Sequence, residues 1–409
     1  MIRIKPFAAI RPPRDKAYLV ATRSYLSYSE EELSDKLRNN PYTFLHVINP
    51  PEGKGLAPGR EKYQAVRRQF ERGLQEGIFR QDDKPAYYLY RQVKDGNEYI
   101  GLIAAVAVED YLQGRIKKHE NTLTQRELMF TDYLEETGFN AEPVLLNYRD
   151  DLRLAQLFAS YLDQRAEYEF TSTDRVLHKM WVIDDATDCH RLSQILRNRR
   201  PFTCRWSPPL RKSALLAQRL EKKGGLSGDR HRYFMAFLIG EEQMKIFDFN
   251  RLLKNKPQKS AQEILAALHE NFIVQERGPI PVKPEKIHEI GMFLGDKWYK
   301  LVARSGSFDP RDPVGHLDAE ILSRNVLDRV FSVGDLRNDS RVGFLPGTEG
   351  LEGLVNQVQS GIYDLAFALH PVTMEQIKQV SDVGAIMPPK STYIEPKLRS
   401  GLTIYQISD

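Results

Sequence analysis

Lys94-Asp95-Gly96-Asn97 stands between two strand-like runs, Ala86–Val93 and Glu98–Val108. Gly and Asn tolerate positive φ, so this stretch predicts a tight hairpin and, with it, an antiparallel sheet. Gly295-Asp296, between Ile287–Leu294 and Lys297–Ala303, repeats the signal. Further strands are expected at Pro143–Asn147, Lys179–Ile183, Tyr363–Leu369 and Leu402–Ile407, and as a pair at Tyr233–Ile239 with Met244–Phe249. Helical spacing marks Glu30–Asn39, Gly59–Gly77, Asp151–Leu162, Ala186–Arg197, Leu210–Lys223, Ser260–Asn271, Asp318–Phe331, Leu351–Ser360 and Glu375–Ser381. Recurrent hairpins among helices favour an α+β fold with mixed, largely antiparallel sheets and flanking helices over a doubly wound parallel one.

At 409 residues, with 41% hydrophobic and 28% charged residues, the chain is long enough for more than one domain and too apolar for disorder. We expect a division into residues 1–255 and 256–409. Cys189 and Cys204 are too few for a disulfide framework, and no Cys/His spacing suggests a metal. His178, His190, His269, His288, His316 and His370 are scattered without a pairing that would hold one. Arg3, Lys5 and Arg11 interrupt the apolar N-terminus, and no run is long enough to span a bilayer, so we expect a cytoplasmic protein without a membrane partner.

The net charge of +4 argues for no particular partner. Its distribution does. Arg191–Lys223 holds ten basic residues against Glu221 alone, a net +9, which leaves the remainder at −5. Within it, Ser207-Pro208-Pro209-Leu210 reads as a helix start, with Ser207 suited to N-cap and proline to the first turn. Arg205, Arg211 and Lys212 near the positive end of such a helix make a phosphate site, or one face of a nucleic-acid-binding patch. Trp206 stands in the same segment and is suited to stack on a base.

Several blocks together resemble the bacterial and archaeal domain of unknown function 1015 family. They are Ile4-Lys5-Pro6-Phe7 with Ile10-Arg11-Pro12, Gly114-Arg115-Ile116-Lys117-Lys118-His119-Glu120 and Asp248-Phe249-Asn250-Arg251. Asp312-Pro313-Val314-Gly315, Met387-Pro388-Pro389-Lys390 and Glu395-Pro396-Lys397-Leu398-Arg399-Ser400-Gly401-Leu402 complete the pattern. That family is similar in part to the ParB and sulfiredoxin superfamily, which includes kinases of free serine. The resemblance implies a ParB/sulfiredoxin-like core followed by a C-terminal α+β region. It also implies a nucleotide, with magnesium, or a phosphorylated metabolite as ligand, and phosphoryl transfer as the ancestral chemistry.

The superfamily's Asp-Gly-His-His-Arg turn corresponds here to Ser207-Pro208-Pro209-Leu210-Arg211, which keeps only the arginine. Two prolines remove backbone donors, leucine replaces an imidazole, and serine replaces a carboxylate. Ser24-Tyr25-Leu26 stands where relatives carry Pro-Tyr-Asp, and Gly343 where they tend to have another Asp. We therefore expect an eroded catalytic centre inside a retained cationic shell, and an active phosphotransferase as the alternative. The expected site comprises His119 and Glu120 as acid/base groups, with Lys118, Arg205, Arg211, Lys212, Lys390, Lys397 and Arg399 holding phosphate.

Overall fold

The computed structural model describes residues 2–118, 124–197, 202–204, 207–223, 228–336 and 338–407. The chain forms two compact units, one of residues 1–244 together with 396–409 and one of residues 245–395.

The two longest helices of the first unit's N-terminal part are α1 (Glu30–Asn39) and α2 (Arg60–Gln75). Ser29 starts α1 through a reciprocal capping box, its Oγ accepting from Glu32 N–H at 3.1 Å while its own N–H donates to the Glu32 carboxylate at 3.0 Å. The strands of the main sheet are β1 (Ile4–Lys5), β2 (Tyr87–Lys94), β3 (Asn97–Ala107), β4 (Ile116–Lys118), β5 (Val144–Tyr148), β6 (Tyr168–Thr171), β7 (Leu177–Ile183), β8 (Phe202–Cys204) and β9 (Tyr233–Gly240). Their order is β4-β8-β5-β9-β3-β2-β7-β6, with β1 pairing β3. The expected β2–β3 hairpin forms, Asp95 and Gly96 taking φ of 50° and 74°. Tyr233–Ile239 and Met244–Phe249 do not pair with each other. Instead β9 lies between β3 and β5, and Lys245–Phe247 pairs with Tyr393–Glu395 in the second unit.

Five further helices follow the strands: α3 (Val108–Leu112), α4 (Thr124–Thr137), α5 (Leu152–Leu162), α6 (Ala186–Arg197) and α7 (Ser207–Lys223). One face of the sheet, with Leu89, Leu102, Ala104, Leu146 and Leu238, buries Leu154, Leu157 and Phe158 of α5, Leu192 and Leu196 of α6, and Ala214 and Ala217 of α7. Each fully buried leucine contributes roughly 2 kcal/mol. A second cluster joins Ile10, Phe44, Val66, Phe70, Phe79, Phe139 and Ile404.

The second unit is built on an antiparallel sheet of β10 (Phe249–Leu253), β11 (Phe272–Gly278), β12 (Glu289–Leu294), β13 (Lys297–Ala303), β14 (Val342–Pro346) and β15 (Leu365–Leu369), in the order β11-β13-β12-β15-β10-β14. Helices α8 (Ala261–Leu268) and α9 (Asp318–Leu322) pack on one face, and α10 (Gly350–Gln359) on the other. The helix expected over Asp318–Phe331 is α-helical only to Leu322 and continues as a π-helix over Ser323–Asp328. The architecture is mixed α+β with largely antiparallel sheets, the class read from the sequence. No helix among the described residues is long and apolar enough to cross a membrane.

Candidate functional site

Two stretches far apart in sequence meet at one edge of the first unit's sheet. Strands β4 and β8 run parallel, with Phe202 opposite Ile116, Thr203 opposite Lys117 and Cys204 opposite Lys118. β8 is joined on its other side to β5, antiparallel. The carboxyl ends of β4 and β8 therefore point the same way, and α7 begins three residues after Cys204. Ligands of open sheets gather at the carboxyl ends of parallel strands, where a following helix offers its positive pole.

Local chemistry fixes β4. Asp110, fully buried in α3, accepts from Arg115 Nε at 2.8 Å and pairs with Arg115 Nη2 at 2.6 Å. It also accepts the backbone N–H of Arg3 at 2.6 Å. The Gly114-Arg115-Ile116 block is thus a clamp that leads the chain from α3 into β4, where Ile116 is buried.

Ser207, expected as the N-cap, is the first residue of α7, and Pro208 and Pro209 occupy its first turn. The first turn of a helix offers up to four unpaired N–H donors, and here two are missing. What remains is a weakened cradle at the positive end of a seventeen-residue dipole.

The expected site residues fall in different places. Lys118 is the last residue of β4 and Arg211 lies in the second turn of α7, so the strand pairing brings their backbones to the same edge. His119, Glu120, Arg205 and Trp206 lie outside the described residues. Lys212 is only 6% exposed, and its Nζ sits 3.2 Å from the centroid of the Phe130 ring on α4. This cation–π contact holds the ammonium against α4, not over the helix terminus. Farther along α7, Arg219 pairs with Asp132 at 2.5 Å and Glu135 at 3.3 Å, so α4 neutralises part of the cationic segment. Glu221 pairs with Arg232 at 3.0 Å.

Arg399 lies elsewhere. It is 6% exposed, and its Nη2 donates to both carboxylate oxygens of Asp174 at 2.7 Å and to Ser172 Oγ at 3.1 Å, while Nε donates to His178 Nε2 at 3.3 Å. Burial works to raise the Asp174 carboxyl, but its hydrogen bonds to Arg399 and Ser172 outweigh that and hold it at about 2. Burial and the Arg399 charge push His178 down to about 3, so its imidazole is neutral, with Nδ1 2.8 Å from the Tyr90 hydroxyl. His178 belongs to β7, six strand spacings from β4, or roughly 29 Å at about 4.8 Å each. Arg399 is committed to a buried ion pair and cannot share a ligand with Lys118. Lys397, two residues away, is half-buried in the same segment.

Lys390 belongs to the second unit. It is exposed, with φ of 56°, and its carbonyl accepts from Arg251 Nη1 at 3.1 Å. In β14, a Cβ at Gly343 would lie 2.4 Å from the Tyr363 hydroxyl, so that ring occupies the space a longer side chain would need.

The clamp around Asp110 and the neutral His178 network are features that sequence reasoning missed. Arg115 stood inside a recognised block, but its partner was not evident.

Residues 4–320 match the family described as protein of unknown function DUF1015. No curated protein matches the chain. Among solved structures, the chain is similar to a mutant free serine kinase in complex with AMP, at 12% identity and a TM-score of 0.36, over 74% of this chain and 91% of that one. It is similar to C-terminally truncated SbnI from Staphylococcus aureus at 13% identity and 0.36, over 73% and 85%. A conserved hypothetical protein from Pyrococcus furiosus is similar at 13% identity and 0.32, over 76% and 96%.

Proposed function

The chain belongs to the DUF1015 family of proteins of unknown function, and on that premise we propose that it binds a nucleotide or phosphorylated metabolite at the β4–β8 edge, with an eroded phosphotransfer centre. The observation that carries this reading is the parallel pairing of Lys118 with Cys204, which brings Lys117-Lys118 and Phe202–Cys204 to one edge just before α7 starts at Ser207. In this reading Lys118, Arg205 and Arg211 hold phosphate oxygens. His119 and Glu120, next along the chain from β4, supply any remaining acid/base chemistry. Lys212 and Arg399 leave the ligand set, since Phe130 and Asp174 engage them.

Erosion is supported by the first turn of α7, where prolines stand in place of donors. Among the described residues no three acidic, His or Cys side chains are grouped to hold a metal ion. In the same reading Ser207, Leu26 and Gly343 stand where acids are expected from the resemblance. In this reading magnesium arrives on the phosphates of a nucleotide.

A thermal-shift series with AMP, ADP, ATP with and without magnesium, serine and phosphoserine tests the reading. We expect stabilisation of the full chain by one nucleotide at millimolar concentration, little salt dependence, no turnover, and loss of the effect in Arg211→Gln. Silence across the series would sink it. Turnover in the unmodified chain would restore the active phosphotransferase. Binding of oligonucleotides that weakens steeply with salt would favour a nucleic-acid partner, a reading that the Arg219 pairing with Asp132 and Glu135 weakens.

A further inference from the structure

Two sequence blocks that the nucleotide edge does not use, Asp248–Arg251 and Met387–Lys390, meet in the second unit around a run of aromatic rings. The paired segments Lys245–Phe247 and Tyr393–Glu395 set Phe247 opposite Tyr393, and β10 pairs with β14 so that Arg251 stands opposite Phe344. Side chains alternate along a strand, so Phe249, Arg251 and Leu253 share one face of β10, as Val342 and Phe344 do on β14. Leu253 and Val342 belong to the core on that face. Farther out the same face carries Arg251 with Phe344, and then Phe249, which is only half-buried.

The rings touch in sequence. Phe344 meets Phe249 edge to face with centroids 6.2 Å apart, Phe249 meets Tyr393 at 5.8 Å and 80°, and Tyr393 meets Phe247 at 6.4 Å and 68°. All four are half-buried. Both cations of the two blocks lie against them, Arg251 Cζ 4.8 Å from the Phe344 centroid and Lys390 Nζ 5.4 Å from that of Phe249. Arg251 is fully buried, its hydrogen bonds go to carbonyls, and its Nε has no partner. Among the described residues neither cation pairs with a carboxylate. Asp248, the acid of the first block, fills the space over Gly347, where a Cβ would lie 2.2 Å from its Oδ1.

Lys390 occupies a strained position. Its φ of 56° is left-handed, a conformation that glycine takes freely and a side chain makes uncommon. Arg251 holds the chain there by donating to the carbonyls of Pro389 at 3.2 Å and Lys390 at 3.1 Å, and Ser391 Oγ donates to the Pro388 carbonyl at 2.7 Å. The turn is thus fixed from beneath by a buried side chain, while the ammonium it carries is exposed. Glycine would serve the turn with less strain, so what the lysine adds is a cation at the margin of the rings.

Half-buried rings packed edge to face leave edges and faces that one more ring would complete. A buried guanidinium without a counter-ion leaves its field unneutralised, and with the nearby ammonium it favours negative charge at the same place. We propose that this corner of the second unit binds a small aromatic oxyanion, its ring packing against Phe249 and Tyr393 and its anionic group pairing with Lys390, with Arg251 as the positioning residue that holds the lysine. The site is independent of the nucleotide edge in the first unit.

The test is ligand-observed saturation-transfer NMR of the full chain with benzoate and with phenyl phosphate. Saturable binding of at least one is expected, and which one binds identifies the oxyanion as carboxylate or phosphate. Benzyl alcohol, which has the ring without the charge, and cyclohexanecarboxylate, which has the charge without the ring, should each bind about threefold or more weakly than the better of the two. Lys390→Gly should weaken binding about tenfold or more, as loss of one charge-assisted contact does, while the thermal midpoint stays the same or rises because glycine accepts the turn. Lys390→Arg should keep the binding, and Arg211→Gln should leave it unchanged. If neither compound binds at tens of millimolar, if Lys390→Gly binds as the unmodified chain does, or if cyclohexanecarboxylate binds as tightly as benzoate, the site is not there.

Discussion

Replacing Arg399 by methionine distinguishes the phosphate ligand that its sequence context suggested from the structural cation that the fold makes of it. The guanidinium makes two 2.7 Å bonds to Asp174 and one each to Ser172 and His178, while 6% of the residue is exposed. Removing one partner of a fully buried ion pair costs about 3–5 kcal/mol. The Asp174 side chain keeps 33% of its surface, so water recovers part of the loss, and we expect about 2–3 kcal/mol. Urea unfolding of the full chain should show this as a lower midpoint for the first unit. A double-mutant cycle with Asp174→Asn should return a coupling of about 1 kcal/mol or more. The acid limb carries a second signature. Asp174 titrates at about 2 in the folded chain against an ordinary 3.8, so the pair's contribution is full above about pH 4 and is lost as pH falls toward 2. Discounted for exposure, that limb is worth about 1 kcal/mol in the native chain and should be absent in the variant. An unchanged midpoint in Arg399→Met, together with loss of nucleotide-induced stabilisation, would refute the reasoning and return Arg399 to the ligand set.

Three further outcomes follow. Arg251 is fully buried, donates to the carbonyls of Phe249, Pro389 and Lys390 at 2.6–3.2 Å, and leaves Nε unpaired. Arg251→Met should cost about 1–3 kcal/mol net, three orphaned carbonyls being partly offset by relief of a buried cation, and should speed tryptic cleavage after Lys390. Gly343→Ala places a methyl 2.4 Å from the Tyr363 hydroxyl and should destabilise the second unit by about 1–3 kcal/mol in thermal unfolding, with more than half restored by Tyr363→Val. Burial pushes Asp318 up to about 7, so the folded chain keeps a proton that the unfolded chain releases near pH 4, and stability falls as pH rises between the two. Asp318→Asn keeps an acceptor for His288 N–H and should raise the unfolding midpoint most at pH 8, less at pH 5 and not at pH 3, the upper bound being about 4 kcal/mol.

What the sequence made legible is what short-range chemistry decides. The hairpin at Asp95-Gly96 and the helices over Glu30–Asn39 and Ala186–Arg197 are set by residues within a few positions of one another. The helix Thr124–Thr137 escaped because Thr131 and Thr137 stand with Leu134 on its buried side, while Leu128 and Phe130 are exposed, which blurs the apolar stripe. The +9 segment was visible as a sum, but its partial neutralisation by Asp132 and Glu135 depends on two helices packing together. Arg399 read as a phosphate ligand because its partner Asp174 lies more than two hundred residues earlier in the chain. Pairing of β4 with β8 joins two three-residue strands, each too short to announce itself by alternation.

The first unit is interrupted, since its last segment, Pro396–Asp409, is separated from its first 244 residues by the whole of the second. Ile404 belongs to the cluster with Ile10, Phe44 and Phe139, and Tyr405 pairs with Asn140. Order of synthesis and order of completion are therefore opposed. A nascent chain that has released Met244 still lacks part of the core that closes around Phe139, and must hold that apolar surface in an unfinished state until the second unit has been translated. The second unit, continuous in sequence, has every residue it needs earlier. Chaperone demand during synthesis should thus fall on the part of the protein that was made first.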